Sequence, residues 1–251
     1  MKKLILLIIC VALLTMPISG CVSVSIGGSG WGGGGGVSGR GALETFTFDV
    51  GDITEIRVAI LCNIEHYVAH SDTVTLEIQP NLMQYITIEE SNGVLEIRSN
   101  RNISWSGSGN TPVLTVGAPN LNRIHLTGAG TFTANDTITV DTFSIDIAGA
   151  GTGRANLDVD SVTVNLAGAG DFTLTGSADS ADFVLAGAGR IEALDLQTQT
   201  ANVNLSGAGT VRVSCSDRLT VSAAGVGTVE YRGSPTLDIS RGGLVTVRNV
   251  D

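Results

Sequence analysis

The sequence predicts an all-β protein that folds as a parallel β-solenoid, in which coils of about 18–21 residues stack on one another. Two observations carry this prediction. A Gly-Ala-Gly tripeptide recurs along the second half of the chain, and from residue 43 onward apolar residues alternate with polar ones. Alternation with a period of two is typical of β-strands with one buried face. A nearly constant repeat of this length, with little sign of helix, indicates a solenoid with one coil per repeat.

Residues 1–20 have the anatomy of an export signal. Two lysines at its start precede an apolar run over residues 4–14, which is too short to span a membrane. The tetrapeptide Ile18-Ser19-Gly20-Cys21 is similar to the bacterial lipobox, in which the cysteine is acylated and the preceding peptide bond is cut. We therefore expect Cys21 to anchor the protein in the cell envelope, in the outer membrane if the host has one, with the folded part outside the cytoplasmic membrane. The alternative is an ordinary secretory signal that ends in a chance cysteine.

Residues 21–42 form a predicted tether. Glycine fills residues 32–36 and recurs on both sides of that run. A segment so rich in glycine loses too much conformational entropy to order on its own. We expect this segment to hold the folded part away from the membrane as a flexible linker.

The chain is acidic, and this charge argues against some partners. The formal net charge is −10 at pH 7, and loss of the signal, which holds two lysines and no acid, leaves −12. Every remaining cationic side chain is an arginine, and the arginines are scattered. Nucleic acids and anionic lipids both attract basic patches, so we expect no nucleic acid partner. The predicted contact with the membrane is the acyl anchor.

Two cysteines remain in the predicted folded part, Cys62 and Cys215, because Cys10 lies in the signal and Cys21 is the acylation site. An exported protein could join them in a disulfide. Successive coils stack at about 4.8 Å, however, and bridged Cα atoms lie within about 7 Å of each other. Since Cys215 comes late in the repeats and Cys62 precedes them, we expect two buried thiols.

Residues 43–118 are predicted to form short, less regular strands that extend the stack, and residues 119–251 to form its regular coils. The tripeptide begins at Gly128, Gly149, Gly168, Gly187 and Gly207, with degraded copies at Gly225 and Gly243. The intervals are 21, 19, 19, 20, 18 and 18 residues. Glycine at the same corner of every coil suits a tight bend or a close backbone approach that excludes a side chain.

Alignment on the tripeptide separates inward from outward positions. Positions of the same parity share one face of a strand, so apolar columns predict a continuous core. The predicted inward residues are Ile124, Leu126, Phe132, Ile145, Ile147, Val164, Leu166, Phe172, Phe183, Leu185, Ile191, Val203, Leu205, Val211, Val221, Ala223, Val229 and Val247. One outward column reads Arg154, Thr173, Glu192, Arg212, Glu230 and Arg248. Its alternating charges oppose a slip in register, and its members Arg154, Glu192, Arg212 and Glu230 are our candidate binding residues.

The last coil is predicted to be capped. An open end of a solenoid can pair with another molecule. Arg241 replaces an inward apolar residue there, and Asn249 and Asp251 are polar. We interpret these three residues as a cap and therefore expect a monomer.

Two segments resemble a known family. The stretch over residues 112–130, PVLTVGAPNLNRIHLTGAG, and the strand over residues 92–97, NGVLEI, resemble the putative auto-transporter adhesin, head GIN domain proteins, as do the lipobox and the Gly-Ala-Gly coils. The resemblance covers about residues 44–250. It implies a right-handed parallel β-helix similar to pectin-lyase-like proteins, no assigned catalytic residues, and a role in adhesion.

Enzymatic chemistry has weak support. Many β-helices cleave acidic polysaccharides with paired carboxylates, or with calcium-binding aspartates and a basic residue. Asp158 and Asp160 share a strand face if the segment is extended, and Asp179 and Asp182 are close in sequence. Neither pair matches the Asp-Asp or Gly-His-Gly signatures of sugar-cleaving β-helices, and aspartates at corners more often form turns. We expect no catalytic residue and no cofactor.

Metal binding has no better support. His66 and His70 would lie about 13 Å apart on one face of a strand, too far apart for one ion. His125 stands at the position that Asp146 occupies on the next coil, so we expect a surface contact between them. Calcium-binding β-rolls place an aspartate after each glycine motif, whereas here only Asp171 does so. We expect no bound metal.

The sequence thus predicts a lipid-anchored envelope protein that acts as an adhesin or surface-binding β-helix without catalysis. The expected partner is an extracellular polysaccharide or a surface protein, because a long flat face suits extended ligands. Two alternatives stay open. One is a polysaccharide-acting enzyme, and the other is a structural or sensory envelope protein.

Overall fold

The computed structural model describes residues 36–105, 107 and 109–251, and most of these residues lie in strands. In chain order the elements are β1 (Val37–Ser38), β2 (Glu44–Asp49), β3 (Glu55–Val58), β4 (Asn63–Tyr67), β5 (Thr73–Ile78), α1 (Pro80–Met83), β6 (Ile86–Ser91), β7 (Val94–Ser99), β8 (Ile103–Ser104), β9 (Val113–Gly117), β10 (Arg123–Leu126), β11 (Ala129–Ile147), β12 (Ala150–Leu166), β13 (Ala169–Leu185), β14 (Ala188–Leu205), β15 (Ala208–Ala223), β16 (Val226–Arg232), β17 (Thr236–Arg241) and β18 (Leu244–Asn249). Within the described ranges, no helix is long and apolar enough to cross a membrane. The predicted signal, the predicted acylation site Cys21 and the predicted tether up to residue 35 lie outside the described residues.

The strands stack in parallel, which confirms the predicted β-solenoid. From β10 to β16 each strand pairs with the next one in the chain, and β17 and β18 continue the stack on β15 and β16. Each strand from β11 to β15 is 16–19 residues long and follows the chain around most of a coil. The repeats stay in register, since Ala129 pairs with Ala150, which pairs with Ala169.

Backbone crowding explains the glycines at the corner of each coil. A Cβ atom added to Gly149 would lie 1.7 Å from the carbonyl oxygen of Gly128 on the preceding coil. A Cβ atom added to Gly168 would lie equally close, at 1.7 Å, to the carbonyl oxygen of Gly149. A larger residue would therefore force the coils apart, as the close approach predicted from the sequence implies.

The core runs along the stack and consists of the predicted inward columns. All of the predicted inward residues are buried except Val247, which lies in the last coil and is partly buried. Gly153 interrupts the column after the tripeptide, between Phe132 and Phe172. A Cβ atom on Gly153 would lie 2.4 Å from Cε1 of Phe172, so the phenylalanine ring occupies the space that the glycine leaves.

Residues 43–118 extend the stack and then end it with antiparallel strands. β3 lies between β10 and β7, and β4 lies between β11 and β9, all in parallel. Beyond them the direction changes, because β6 runs antiparallel to β7, and β5 runs antiparallel to both β9 and β2. An antiparallel strand reverses the chain and cannot continue a parallel coil, so these strands terminate the stack.

Residues 36–42, at the end of the predicted tether, are ordered against the folded part. β1 pairs in parallel with β8. The amide N–H of Arg40 donates to Oδ1 of Asn81 at 2.8 Å, and the Gln79 side chain donates to the carbonyl of Gly41 at 2.8 Å. Residues 36–42 therefore pack on the folded part, because β8 and the region of α1 offer partners to their backbone groups.

The predicted cap over the last coil is wrong. Arg241 takes the inward position that Ala223 holds one coil earlier, and it is exposed. Leu237 keeps an apolar side chain at another inward position, and 42% of its surface is exposed. Asp251 accepts hydrogen bonds from the amide N–H of Gly233 at 3.1 and 3.2 Å, and Asn249 donates to the Gly233 carbonyl at 3.0 Å. These polar residues fasten the chain end and leave the apolar end of the core uncovered.

Candidate functional site

A shallow groove with a volume of about 840 Å³ crosses successive coils of the regular stack. It is formed by one short segment from each coil, and these segments lie within residues 139–141, 158–160, 177–179, 194–199, 214–216 and 232–233. We call this feature the acidic groove, because five aspartates line it together with a single arginine. The charged residues are Asp141, Asp158, Asp160, Asp179, Asp195 and Arg232.

Strand alternation positions the polar side chains of the acidic groove. In β12 the exposed Asp158 and Asp160 flank the buried Val159. Val159 pairs with Ala178 on the next coil, Ala178 with Thr198, and Thr198 with Cys215. This buried column, at most 8% exposed, runs between two rows of exposed polar residues. The same arrangement thus recurs from coil to coil.

Hydrogen bonds between coils hold several of these side chains. The Ser177 hydroxyl donates to Oδ1 of Asp158 at 3.0 Å, and Nε2 of Gln199 donates to Oδ1 of Asp179 at 2.6 Å. Arg232 lies 3.7 Å from Oδ1 of Asp195 at one end of the groove. The acidic groove therefore presents carboxylates, amides and hydroxyls in fixed positions, and each of these groups has capacity for further hydrogen bonds.

The acids considered for catalysis divide between two places. Asp158, Asp160 and Asp179 line the acidic groove, whereas Asp182 lies in a separate small recess and accepts a hydrogen bond from Nδ2 of Asn202 at 2.8 Å. Asp179 and Asp182 therefore do not form one site. Among the described residues, no group of three or more histidine, cysteine and acidic side chains could hold a metal ion.

The candidate binding column forms a chain of ion pairs on adjacent coils. Arg212 lies between Glu192, at 3.0 Å, and Glu230, at 2.5 Å, and Arg248 binds the other oxygen of Glu230. Glu230 was expected to point outward into solvent, but its side chain is only 4% exposed because the two arginines enclose it. Arg154 is in the same column but is separated from Glu192 by Thr173.

The ion pairs shift the pKa values of this column in the direction that favours the charged forms. Hydrogen bonds from Arg248, and then from Arg212, lower the pKa of Glu230 despite its desolvation. Hydrogen bonds to Glu192 and Glu230 raise the pKa of Arg212. Glu192, Arg212 and Glu230 thus satisfy one another, which favours a structural role for them, while their part in binding stays a prediction.

The histidines do not form a metal pair. β4 ends at Tyr67, so His66 is buried in the core while His70 lies in the following loop beside Asp52 and Asp72, at 3.4 and 3.0 Å. The expectation that both share one strand face is therefore wrong. His125 does pair in register with Asp146, and the Asp146 carboxylate accepts a hydrogen bond from Nδ2 of Asn165 at 2.7 Å.

Both cysteines of the described residues are buried free thiols. Burial raises the pKa of Cys62 to about 12, so this thiol is protonated at neutral pH. Cys215 lies at the acidic groove, and its Sγ contacts the carbonyl oxygens of Arg218 and Gln199 at 3.0 and 3.2 Å. The protonated, buried thiol of Cys62 is a poor nucleophile.

Solved structures similar to this one show the same fold. A structure described as a putative adhesin from Bacteroides fragilis has a TM-score of 0.79 and 24% identity, over 86% of this chain and 100% of that chain. A putative lipid binding protein from Parabacteroides distasonis has a TM-score of 0.65 and 20% identity, over 86% and 99% of the two chains. A putative adhesin from Parabacteroides merdae has a TM-score of 0.61 and 18% identity, again over 86% and 99%. At these identities the likeness concerns the fold alone.

Sequence comparison gives the family. No curated protein matches the chain significantly. The family model described as "Putative auto-transporter adhesin, head GIN domain" matches residues 52–235, which include the N-terminal strands and most of the regular coils. This match confirms the resemblance seen in the sequence, and because it spans well over half of the chain, the protein belongs to the head GIN domain family.

Proposed function

We propose that this protein is a lipid-anchored adhesin of the bacterial envelope that holds an extended glycan along its acidic groove without cleaving it. The observation that carries the proposal is the groove itself, which repeats similar polar groups on successive coils. Coils of a parallel stack lie about 4.7–4.9 Å apart. A polymer with a regular repeat can therefore make a similar contact with each coil.

The chemistry of the acidic groove supports a sugar ligand. Carboxylates, amides and hydroxyls, such as those of Asp158, Gln199 and Ser177, are donors and acceptors that match sugar hydroxyls. The excess of aspartates over Arg232 repels polyanions. We therefore expect neutral or amino-sugar glycans to bind better than uronic acid polymers.

Envelope anchoring is the second part of the proposal, and it rests on the lipobox. Two or more acyl chains on Cys21 would give stable membrane attachment, which a single chain does not. Labelling of the host with a fatty-acid analogue tests this part. We expect label on the wild-type protein and none on Cys21→Ser, and label on Cys21→Ser would contradict the assignment.

Binding is tested with purified full-length protein on an array of neutral, amino-sugar and uronic acid glycans. We expect selective retention of neutral or amino-sugar chains and its loss in Ser177→Trp, which fills the groove at an exposed position. Ser206→Trp, at an exposed corner outside the groove, is the matched control and should bind like the wild type. Retention of no glycan, or equal binding by both variants, would contradict the proposed site.

A second candidate function, glycan cleavage, is favoured by one observation: the carboxylates of Asp158 and Asp160 both line the groove. Incubation of each retained glycan with the protein, followed by measurement of chain length, separates the two functions. Intact chains support binding without catalysis. Shortened chains, with activity lost in Asp158→Asn or Asp160→Asn, would replace the adhesin proposal by a hydrolase or lyase.

A further inference from the structure

The last two coils carry a concentration of exposed apolar side chains. Four large apolar side chains are exposed among the described residues, and three of them are here: Val226, Leu237 and Leu244. Their exposed fractions are 56, 42 and 77%. Clustered exposed apolar groups are typical of interaction surfaces, whereas isolated ones are not.

Two of these residues, Val226 and Leu244, replace the alanine of the repeat with a larger apolar side chain. The middle residue of the tripeptide is alanine in the five preceding coils, and it becomes Val226 and then Leu244 in the same register. This corner position points outward, so a larger apolar side chain gains no burial within one molecule. Contact with a second surface would bury the side chains that replace alanine here.

The same end of the stack has open backbone. Among the described residues β17 pairs with β15 alone and β18 pairs with β16 alone, and each strand is six residues long. One edge of each strand therefore offers unpaired N–H and C=O groups, which are a template for further strand pairing. Arg241 is the last residue of β17, so it lies beside the inward apolar pair Leu237 and Ile239 and leaves this pair continuous.

We propose that this end face, formed by Val226, β17 and β18, binds a second copy of the chain around a two-fold axis. The face presents two strand edges at a separation fixed by the width of the coil. The last coil of another copy presents the same two edges at the same separation, whereas a single peptide strand could pair with only one. A two-fold contact also uses each residue twice and closes the assembly as a dimer.

The mass of the full-length protein in density-matched detergent, measured by sedimentation equilibrium, tests the dimer. We expect the mass of two chains for the wild type and of one chain for Leu237→Lys/Leu244→Lys. Leu244→Lys alone, at a largely exposed position, should weaken the dimer without disturbing the core. Tyr67→Lys replaces the fourth exposed apolar residue, 41% exposed and in β4, and should leave the dimer intact.

Cross-linking tests the geometry independently of any loss of stability. Ser240 is exposed on β17, and Ser240→Cys should give a linked dimer with a bismaleimide, while the wild-type chain controls for its own cysteines. A single-chain mass for the wild type would overturn the proposal. So would a dimer that survives Leu237→Lys/Leu244→Lys, or a Ser240→Cys dimer that does not link, since both place the contact elsewhere.

Discussion

His66 is a buried imidazole that makes stability depend on pH. Its Nε2 contacts the Ala118 carbonyl at 2.7 Å, and its ring centroid lies 6.3 Å from that of Phe132. Burial lowers the pKa of His66 below 6.5, although the Ala118 carbonyl and the charge of Asp136 oppose this shift. Nε2 carries the proton that the Ala118 carbonyl accepts, while the buried Nδ1 has no hydrogen-bond partner among the described residues, so burial favours the neutral ring in the folded protein. The unfolded chain takes up a proton as the pH falls through about 6.5 and the folded protein does not. The free energy of unfolding therefore decreases below that pH.

We predict that His66→Gln flattens this dependence. Glutamine can donate an N–H group to the Ala118 carbonyl, but it takes up no proton. Between pH 7 and 5 the wild type should lose stability relative to the variant, by up to about 1.4 kcal/mol per pH unit. Urea unfolding at both pH values measures the difference, with His125→Gln as a control that should retain most of the wild-type slope. Equal slopes for the wild type and His66→Gln would contradict the assignment.

The corner glycines give a second prediction at the residue scale. Gly168→Ala would place a Cβ atom 1.7 Å from the Gly149 carbonyl oxygen, so the coils must separate. We expect a loss of at least about 2 kcal/mol in the free energy of unfolding, as for other overpacked sites. Gly51→Ala is the control, because its Cβ would meet only the carboxylate of Glu90, at 3.4 Å. Urea unfolding that ranks the two variants equally would contradict the crowding argument.

At the scale of single strands, the ion pairs of Glu192, Arg212, Glu230 and Arg248 link the β14, β15, β16 and β18 coils. Coils with similar apolar columns could slip against each other by two residues without exposing the core. A slip would also separate these charges. The column therefore favours one register among several that the core alone would accept.

We predict that Glu230→Gln destabilises the protein by about 1–2 kcal/mol at pH 7, since it leaves two arginines without their shared, nearly buried partner. The folded-state pKa of Glu230 is lowered, so its contribution is present above about pH 4.5 and is lost as the pH falls through the folded value. The stabilities of variant and wild type should converge once the pH has fallen below the lowered folded-state pKa of Glu230. Thermal unfolding over a series of pH values from 7 downward measures this, with the exposed Glu77→Gln as the control; a pH-independent difference would contradict it.

The regular strands could be predicted from the sequence, and the irregular ones could not. Each regular coil repeats the same apolar and glycine positions, so aligning the repeats already defines the partner of each strand. The partners of β2, β5 and β6 depend on non-local packing, and the alternation of apolar and polar residues within a strand does not determine which strand it pairs with. The acidic groove does not show when the repeats are aligned on the tripeptide; alignment on Val159, Ala178 and Cys215 shows the flanking rows of polar residues.

At the scale of the whole folded part, the described coils form a stack in which each coil contacts mainly its neighbours. Stability in such a stack is close to a sum of coil and interface contributions. Central coils have two interfaces, whereas the last coil has one and keeps Leu237 exposed. Its exposed end could not be foreseen, because Arg241 and Asn249 indicate a cap in the sequence and only the structure shows where they lie.

We predict that amide hydrogen exchange increases toward the C-terminal end in the monomeric Leu237→Lys/Leu244→Lys variant. Amides of β17 and β18 should open locally and exchange faster than those of β12 and β13, which have a coil on each side. In the wild-type dimer the same amides should be protected. Uniform exchange along the stack of the variant would show that the coils unfold as one cooperative unit.

The attachment of β1 has a mechanical consequence. A pull delivered through the N-terminal part of the chain reaches β1 before it reaches any coil. β1 is held by a two-residue pairing with β8 and by a few hydrogen bonds, so such a pull loads these contacts before those of the coils. Release of residues 36–42 would lengthen the extended chain by about 23–25 Å. Residues 36–42 would then detach and extend reversibly under load, before the stacked coils carry any of it.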